Sequence, residues 1–283
     1  MIQVRETVMT EKNTNSPTGP ERLKAFEDNW KTAMGAWFPG ERVVLRGKDV
    51  FKELNDYSWV EYLYYAITGK HSPKTARLIE GLWMLSTSYP DPRLWNNRVV
   101  ALAATARTTG ALAVAAGIAV SEATIYGLKP IKGAIDFLYR AAYQKENGIA
   151  IETIIKEELK ASRSVSGYGR PLVNGDERIA PVLNFLTEQG AHDGKFIRLA
   201  FEIDHYLKNS RYKYMINIAA LNAAVAADSG LSADEYYYMT SLAFTGGMFP
   251  CYIDARTQPE GLFFPLSVKR IKSISSNSRE WIE

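Results

Sequence analysis

The stretch SVSGYGRPLVNGDERI, residues 164–179, sets Tyr168 and Arg170 among three glycines immediately ahead of an apolar run. Glycine frees the backbone to turn and Pro171 then fixes its direction, so Arg170 is offered from a shaped loop as a rigid fork of donors. The groups that such a fork serves are a carboxylate, a phosphate or the oxygen of a thioester, and at a reacting centre it would stabilise a developing oxyanion. A plainer use is also open, an ion pair with Asp176 or Glu177 a few residues on, with Tyr168 a packing residue.

Two further groups have chemistry in reach. Lys129 and Lys132 flank Pro130 near a helix start, where a lysine can bind an anion or, with water excluded, act as a base, although solvated lysines are commoner. Around the YPDP corner, Tyr89, Asp91, Arg93, Asn96, Asn97 and Arg98 crowd against an apolar run. Capping and an Arg–Asp pair account for part of that polarity; contact with a ligand through Tyr89, Arg93 or Asn97 is the alternative. The histidines His71, His192 and His205 have no metal-binding spacing, so no metal site is expected, and His205 follows Glu202 by one turn as a carboxylate–imidazole pair. Cys251 is the only cysteine, which excludes an intrachain disulfide, and a lone cysteine is usually a small buried hydrophobe. Neither a Walker loop nor a G-x-G-x-x-G is present, leaving phosphoryl and hydride chemistry without support.

Positioning these residues falls to helices. Ser58 can cap SWVEYLYYAIT with Gly69 at its end, Ser72 and Pro73 can start the next helix, and Ser232 can cap SADEYYYMTSLAFTGGMF with Asp234 and Glu235 in its first turn. The Ala- and Gly-rich residues 94–127 read as central helices, Pro130 opens the helix that follows, and helices are expected over 151–159, 176–189 and 195–207. ERVVLRG near 41–47 alone suggests a small hairpin or edge strand. The fold class is therefore all-α, of about ten helices.

Composition narrows the rest. A hydrophobic share of 46% with 23% charged residues excludes disorder and fibrous classes. A net charge of +3 without blocks of like charge gives no footprint for nucleic acid or membrane surfaces. The longest apolar run, 111–120, is about half of the roughly 20 residues a membrane span needs. With one cysteine and no apolar leader, the expectation is a soluble, cytoplasmic protein whose residues 1–40 form a flexible lead-in.

Taken in order, YSWVEYLYYAITGK, YPDPRLWNNRVVALAATART, KGAIDFLYRAAYQKENG, SGYGRPLVNGDERI, NIAALNAAVAADSGL and SLAFTGGMFPCYIDARTQPEGLFFP resemble the citrate synthase superfamily over roughly residues 40–270. The likeness is nearest to its short members, such as citryl-CoA lyases and the lyase-like end of ATP-citrate lyase. What the resemblance implies is a homodimer with an active site in a cleft between a large domain (41–130 and 216–283, the latter ending in a C-terminal arm) and a small CoA-type domain (131–215). CoA or an acyl-CoA would be a substrate, with no permanently bound cofactor. Lys129 would serve CoA, and Arg256, beside Asp254, would reach the partner's site or form a local salt bridge.

The departures are chemical. Where the family's Claisen enzymes carry two histidines and an aspartate, this chain has Ile131 or Lys132, Arg170 and Ala219, so no carboxylate remains to take an α-proton and no imidazole to polarise a carbonyl. A substrate-binding arginine falls at Phe244 and a substrate-binding histidine at about Tyr89, which removes a bidentate carboxylate partner. Oxaloacetate and citrate are thus not expected ligands. The expected function is a divergent citrate synthase-like enzyme making or breaking a bond on an acyl thioester or related small carboxylic substrate, with Arg170, Tyr168 and Lys132 as catalytic residues. The alternative is a catalytically inactive, citrate synthase-like binding or regulatory dimer.

Overall fold

The computed structural model describes residues 18–29, 31–86, 89–170, 175–262 and 267–270. The chain separates into two compact units, Met1–Asp56 and Tyr57–Glu283. In the first, helix α1 (Pro20–Lys24) precedes a three-stranded antiparallel sheet ordered β1 (Gly35–Phe38), β2 (Arg42–Leu45), β3 (Lys48–Asp49) and the short helix α2 (Val50–Glu53). The strand expected near 41–47 is β2, registered with Ala36 opposite Val44 and Trp37 opposite Val43. Asp49 ends the sheet and starts α2, its carboxylate accepting the amides of Phe51 and Lys52. Of the segment 1–40, expected to be flexible, residues 1–17 and 30 lie outside the described residues, and the remainder contains α1 and β1.

The second unit is helical, and its boundaries follow capping chemistry. Ser58 accepts the Glu61 amide while the Glu61 side chain accepts the Ser58 amide, a capping box that opens α3 (Trp59–Thr68); Gly69, at φ 73°, closes it. Then come α4 (Pro73–Ser86), α5 (Trp95–Thr105), α6 (Gly110–Val120), α7 (Leu128–Glu146), α8 (Ile151–Ser162), α9 (Ile179–Glu188), α10 (Lys195–Asn209), α11 (Ile218–Asp228), α12 (Ala233–Ser241) and α13 (Thr245–Thr257). Sequence pattern joins α12 to the start of α13, whereas the structure inserts a 3₁₀ turn at Leu242–Phe244. The break has a packing cause: α12 lies on α3 and α7, while α13 lies on α5 and α6.

The main core is built around α7 and α11, with Ile135, Phe137, Leu138 and Leu221 fully buried. Helix α11, IAALNAAVAAD, is buried on nearly all sides because its alanines let α7 and α10 approach closely. A smaller contact joins α5, α6 and α13 through Val100, Ala113 and Met248. No helix among the described residues is long and apolar enough to cross a membrane.

Candidate functional site

The loop after α8 is laid flat against the start of α11. At Gly167 φ is +88°, and a Cβ there would lie 2.6 Å from the Ala220 Cβ. The Gly167 carbonyl accepts the Asn217 amide at 2.9 Å, the Gly169 amide donates to the Met215 carbonyl at 2.7 Å, and Asn217 Nδ2 donates to the Gly169 carbonyl at 2.9 Å. Tyr168 turns inward and its hydroxyl donates to the Ala200 carbonyl at 2.9 Å. Burial pushes that phenol well above its usual pKa, so Tyr168 is a spoke of the loop and its proton is committed.

Beyond this spoke the loop carries a charged network. Asp176, whose side chain is inaccessible to solvent, accepts Nε and Nη2 of Arg178 at 2.8 Å each and the amide of Ile218 at 2.9 Å. Burial opposes ionisation of Asp176, but the Arg178 fork and the Ile218 amide outweigh it and hold the carboxyl below its usual range. Arg170 Nη1 donates to Glu177 at 2.5 Å and lies 3.9 Å from Asp176. Burial works against the Arg170 charge, and these two carboxylates more than restore it. Tyr89 stands near the network: burial raises its phenol pKa, while Arg178 and Arg170 pull the other way.

Next to the loop lies a cavity of about 940 Å³. Its described lining includes Arg93, Lys129, Arg170 and Arg178, with Tyr126, Tyr168, Tyr214 and Tyr236, and contains no carboxylate, imidazole or thiol. Three of the four cations are held by carboxylates that stand outside the lining: Arg93 by Asp91 at 2.6–3.1 Å, Arg170 by Glu177 and Arg178 by Asp176. The Lys129 side chain, exposed near the start of α7, makes no hydrogen bond or ion pair among the described residues. The described lining thus presents four cations, with the Lys129 amine alone lacking a partner among the described residues.

The expected site residues divide cleanly. Ile131, Arg170, Ala219 and Phe244, which come from four separate segments, all line the cavity, as do Arg93, Lys129 and Tyr168. Lys132 does not; it is exposed, ion-paired with Asp234 and set over the Tyr237 ring. Asn97 is fully buried and ties the YPDP corner, donating to the carbonyls of Tyr89 at 2.5 Å and Asp91 at 3.2 Å. Tyr89 is 44% exposed and outside the lining, and Arg256 is exposed on α13, its carbonyl accepting Arg107 Nη1.

The histidines stay outside too. His71 stacks on Tyr57, and the expected Glu202–His205 pair is replaced: Glu202 pairs with Lys145 while the His205 ring faces Asn209. Cys251 is buried beside Ala101 and Ala104, and burial pushes its thiol up, away from nucleophilic use. Among the described residues no group of three or more His, Cys, Asp or Glu is placed to hold a metal.

Sequence reasoning missed Arg178, although its spacing from Asp176 is a local Asp–Arg fork. It also missed the far wall, formed by Trp83, Ser86, Asn222, Met239 and Thr240. Asn222 had a signal: it is the one polar residue within the apolar run of α11, and a buried polar group demands a partner.

No protein-family model matches the sequence, and no curated protein matches it. Solved structures do match the fold. Citryl-CoA lyase from Hydrogenobacter thermophilus superposes with a TM-score of 0.76 at 17% identity, over 89% of this chain and 97% of that one. ATP citrate lyase from Methanothrix soehngenii, in complex with citrate and coenzyme A, gives 0.72 at 14% identity over 92% of this chain but 45% of its own. Citrate synthase from Thermotoga maritima gives 0.62 at 19% identity, over 81% of this chain and 60% of that one. The chain therefore spans nearly the whole of the first, under half of the second and three-fifths of the third, and has their all-α architecture.

Proposed function

We propose, from the citrate synthase-like fold and the charge of its cavity, that this protein takes up an acyl thioester or a related small carboxylic compound and makes or breaks a bond on it without the acid–base set of citrate synthesis. The observation that carries this reading is the described lining: four cations, of which the Lys129 amine alone has no carboxylate partner among the described residues, and no carboxylate, imidazole or thiol. An anionic ligand is drawn to such a cavity, while α-proton abstraction by a carboxylate has no residue in the described lining to perform it, since position 219 is alanine. Arg170 would stabilise a developing oxyanion and Lys129, free of a carboxylate partner among the described residues, would meet the ligand's carboxylate or phosphate. CoA or an acyl-CoA is the proposed substrate, supported by the ATP citrate lyase complex that holds citrate and coenzyme A.

A second reading, a noncatalytic dimer that binds the same class of ligand, is favoured by the same lack of an acid–base group. A homodimer is part of both. Its support is the set of large apolar side chains, Leu102, Leu112, Phe249 and Ile253, exposed on the mutually packed helices α5, α6 and α13. Arg256 shares α13 with two of them and would be carried toward the partner. The division into a large domain and a CoA-type domain at 131–215, and a cytoplasmic location, belong to this proposal as well.

Calorimetry with CoA, acetyl-CoA, oxaloacetate and citrate, followed by an assay of thioester consumption, tests the reading in two steps. Binding of CoA esters with thioester loss that Arg170→Ala abolishes supports the enzyme; binding without turnover supports the second reading. If neither CoA species nor carboxylates bind, both readings fall.

A further inference from the structure

The cavity runs along α11 and changes character on the way. Near the helix start stand Asn217 and Ala219 with the Arg170–Asp176–Arg178 network, whereas Val225 and Ala226, two turns on, face the cavity together with Leu82 and Trp83 of α4 and Met239 of α12. At about 1.5 Å per residue, the lining from Ile218 to Ser229 covers about 16 Å of the helix axis. An anion at one end therefore leaves room for an extended apolar body at the other.

Two polar side chains stand among these apolar ones in the lining. The Oδ1 of Asn222 and the Oγ of Ser86 are both buried without a hydrogen-bond partner among the described residues, and both residues line the cavity, one from α11 and one from the end of α4. A buried polar atom without a partner costs its desolvation with no return, and native proteins hold few of them. Two on the walls of one chamber, supplied by different helices, mark a place where the partner arrives from outside the fold.

Resting on the proposed acyl-ligand reading, we infer that the far half of the cavity is a specificity subsite for an acyl group with an aliphatic or aromatic body that bears one neutral hydrogen-bonding group, a hydroxyl or an amide, met by Asn222 and Ser86. An amide side chain can both donate and accept, and a serine hydroxyl can do the same, so together they suit a hydroxyl that needs one of each. A second carboxylate does not fit beside these side chains, because burying an unpaired charge among Trp83, Leu82 and Met239 is unfavourable. The subsite thus separates hydroxyacyl from plain acyl ligands and both from dicarboxylates.

The test measures binding of butyryl-CoA, 3-hydroxybutyryl-CoA, 4-hydroxybutyryl-CoA and succinyl-CoA by calorimetry to the full chain and to Asn222→Leu and Ser86→Ala. One of the hydroxybutyryl esters should bind at least about tenfold tighter than butyryl-CoA and tighter than succinyl-CoA, because a site built for a hydroxyl rejects the analogue lacking it. That preference should shrink to near unity in Asn222→Leu and fall in Ser86→Ala, while the melting temperature of unliganded Asn222→Leu stays level or rises as an unsatisfied amide is removed. Equal binding of butyryl and both hydroxybutyryl esters to the wild-type chain overturns the inference while leaving the acyl-ligand reading intact. A preference that survives both substitutions overturns it too, since ordered water would then be the partner of the two groups. Absence of binding by every ester removes the parent reading and the inference with it.

Discussion

Asp176 and Arg178 grip each other through two bonds of 2.8 Å, and the same carboxylate accepts the Ile218 amide at 2.9 Å, so one side chain ties the loop to the start of α11 and orients a cavity-lining arginine. Removing the carboxylate leaves the half-buried Arg178 without its counter-ion and the Ile218 amide without an acceptor. Asp176→Ala should lose about 3 kcal/mol of unfolding free energy, the scale for breaking a buried ion pair. Asp176→Asn, which keeps an acceptor for Ile218, should lose less. Urea titrations of the three proteins check this order, and equal midpoints would remove Asp176 from its anchoring role.

The same group sets a pH dependence with a definite sign. Arg178 and the Ile218 amide hold the Asp176 carboxyl below its usual value despite burial. A depressed folded-state pKa contributes stability that is present above the unfolded value, about 3.9, and is lost as pH falls through the folded value. The stability gap between wild type and Asp176→Asn should therefore be widest near neutral pH and close as the pH drops below about 4. Urea midpoints measured at intervals from neutral to strongly acid pH provide the reading; a gap that widens on acidification would reverse the assignment.

Lys129 and Lys132 sit one helical turn apart in sequence, yet only Lys129 lines the cavity; Lys132 is spent on Asp234. Lys129→Gln should weaken binding of an acyl-CoA by about tenfold or more, the scale of one charge-assisted hydrogen bond, with little effect on melting temperature. Lys132→Gln should leave the affinity unchanged. Calorimetry on both variants separates them, and equal losses would mean that the two act only through the net field.

Much of the architecture was legible because it is written in local chemistry. Ser58 with Glu61 and Ser232 with Glu235 form capping boxes, and Gly69 closes α3. The cavity positions 131, 170, 219 and 244 could be found from motif order although they lie far apart in the chain. What stayed hidden depends on three-dimensional direction. Adjacent residues on a helix point about 100° apart, so Ile131 faces the cavity and Lys132 does not, a choice that spacing left open. Likewise Asn97, polar and next to an expected ligand corner, is consumed by backbone carbonyls whose positions only the fold supplies.

Tyr168 illustrates the same point at the level of a single proton. Its ring touches the cavity while its hydroxyl is donated to the Ala200 carbonyl within α10, and burial keeps the phenol protonated. Tyr168→Phe should therefore cost about 1 kcal/mol of stability, a typical net hydrogen bond, and leave ligand affinity and any turnover unchanged. Loss of turnover in a normally stable Tyr168→Phe protein would instead return the hydroxyl to the chemistry.

Close approach of the loop to α11 is tested at Gly167. A side chain there meets two penalties: a left-handed backbone at φ +88°, and a Cβ placed 2.6 Å from the Ala220 Cβ and 2.9 Å from its backbone nitrogen. Gly148 shares the first penalty, at φ +83°, with nothing within 4 Å, so it isolates the backbone cost. Gly148→Ala should lose about 1 kcal/mol, the left-handed penalty alone. Gly167→Ala should lose about 2 kcal/mol more, as overpacking against a helix adds to it. Because part of that excess is the contact between the two methyl groups, Ala220→Gly in the Gly167→Ala background should return some of it, whereas Ala220→Gly alone should only destabilise α11. A double-mutant cycle in urea measures the coupling, and a cycle that closes with no coupling would mean that the loop does not rest on the helix at this point.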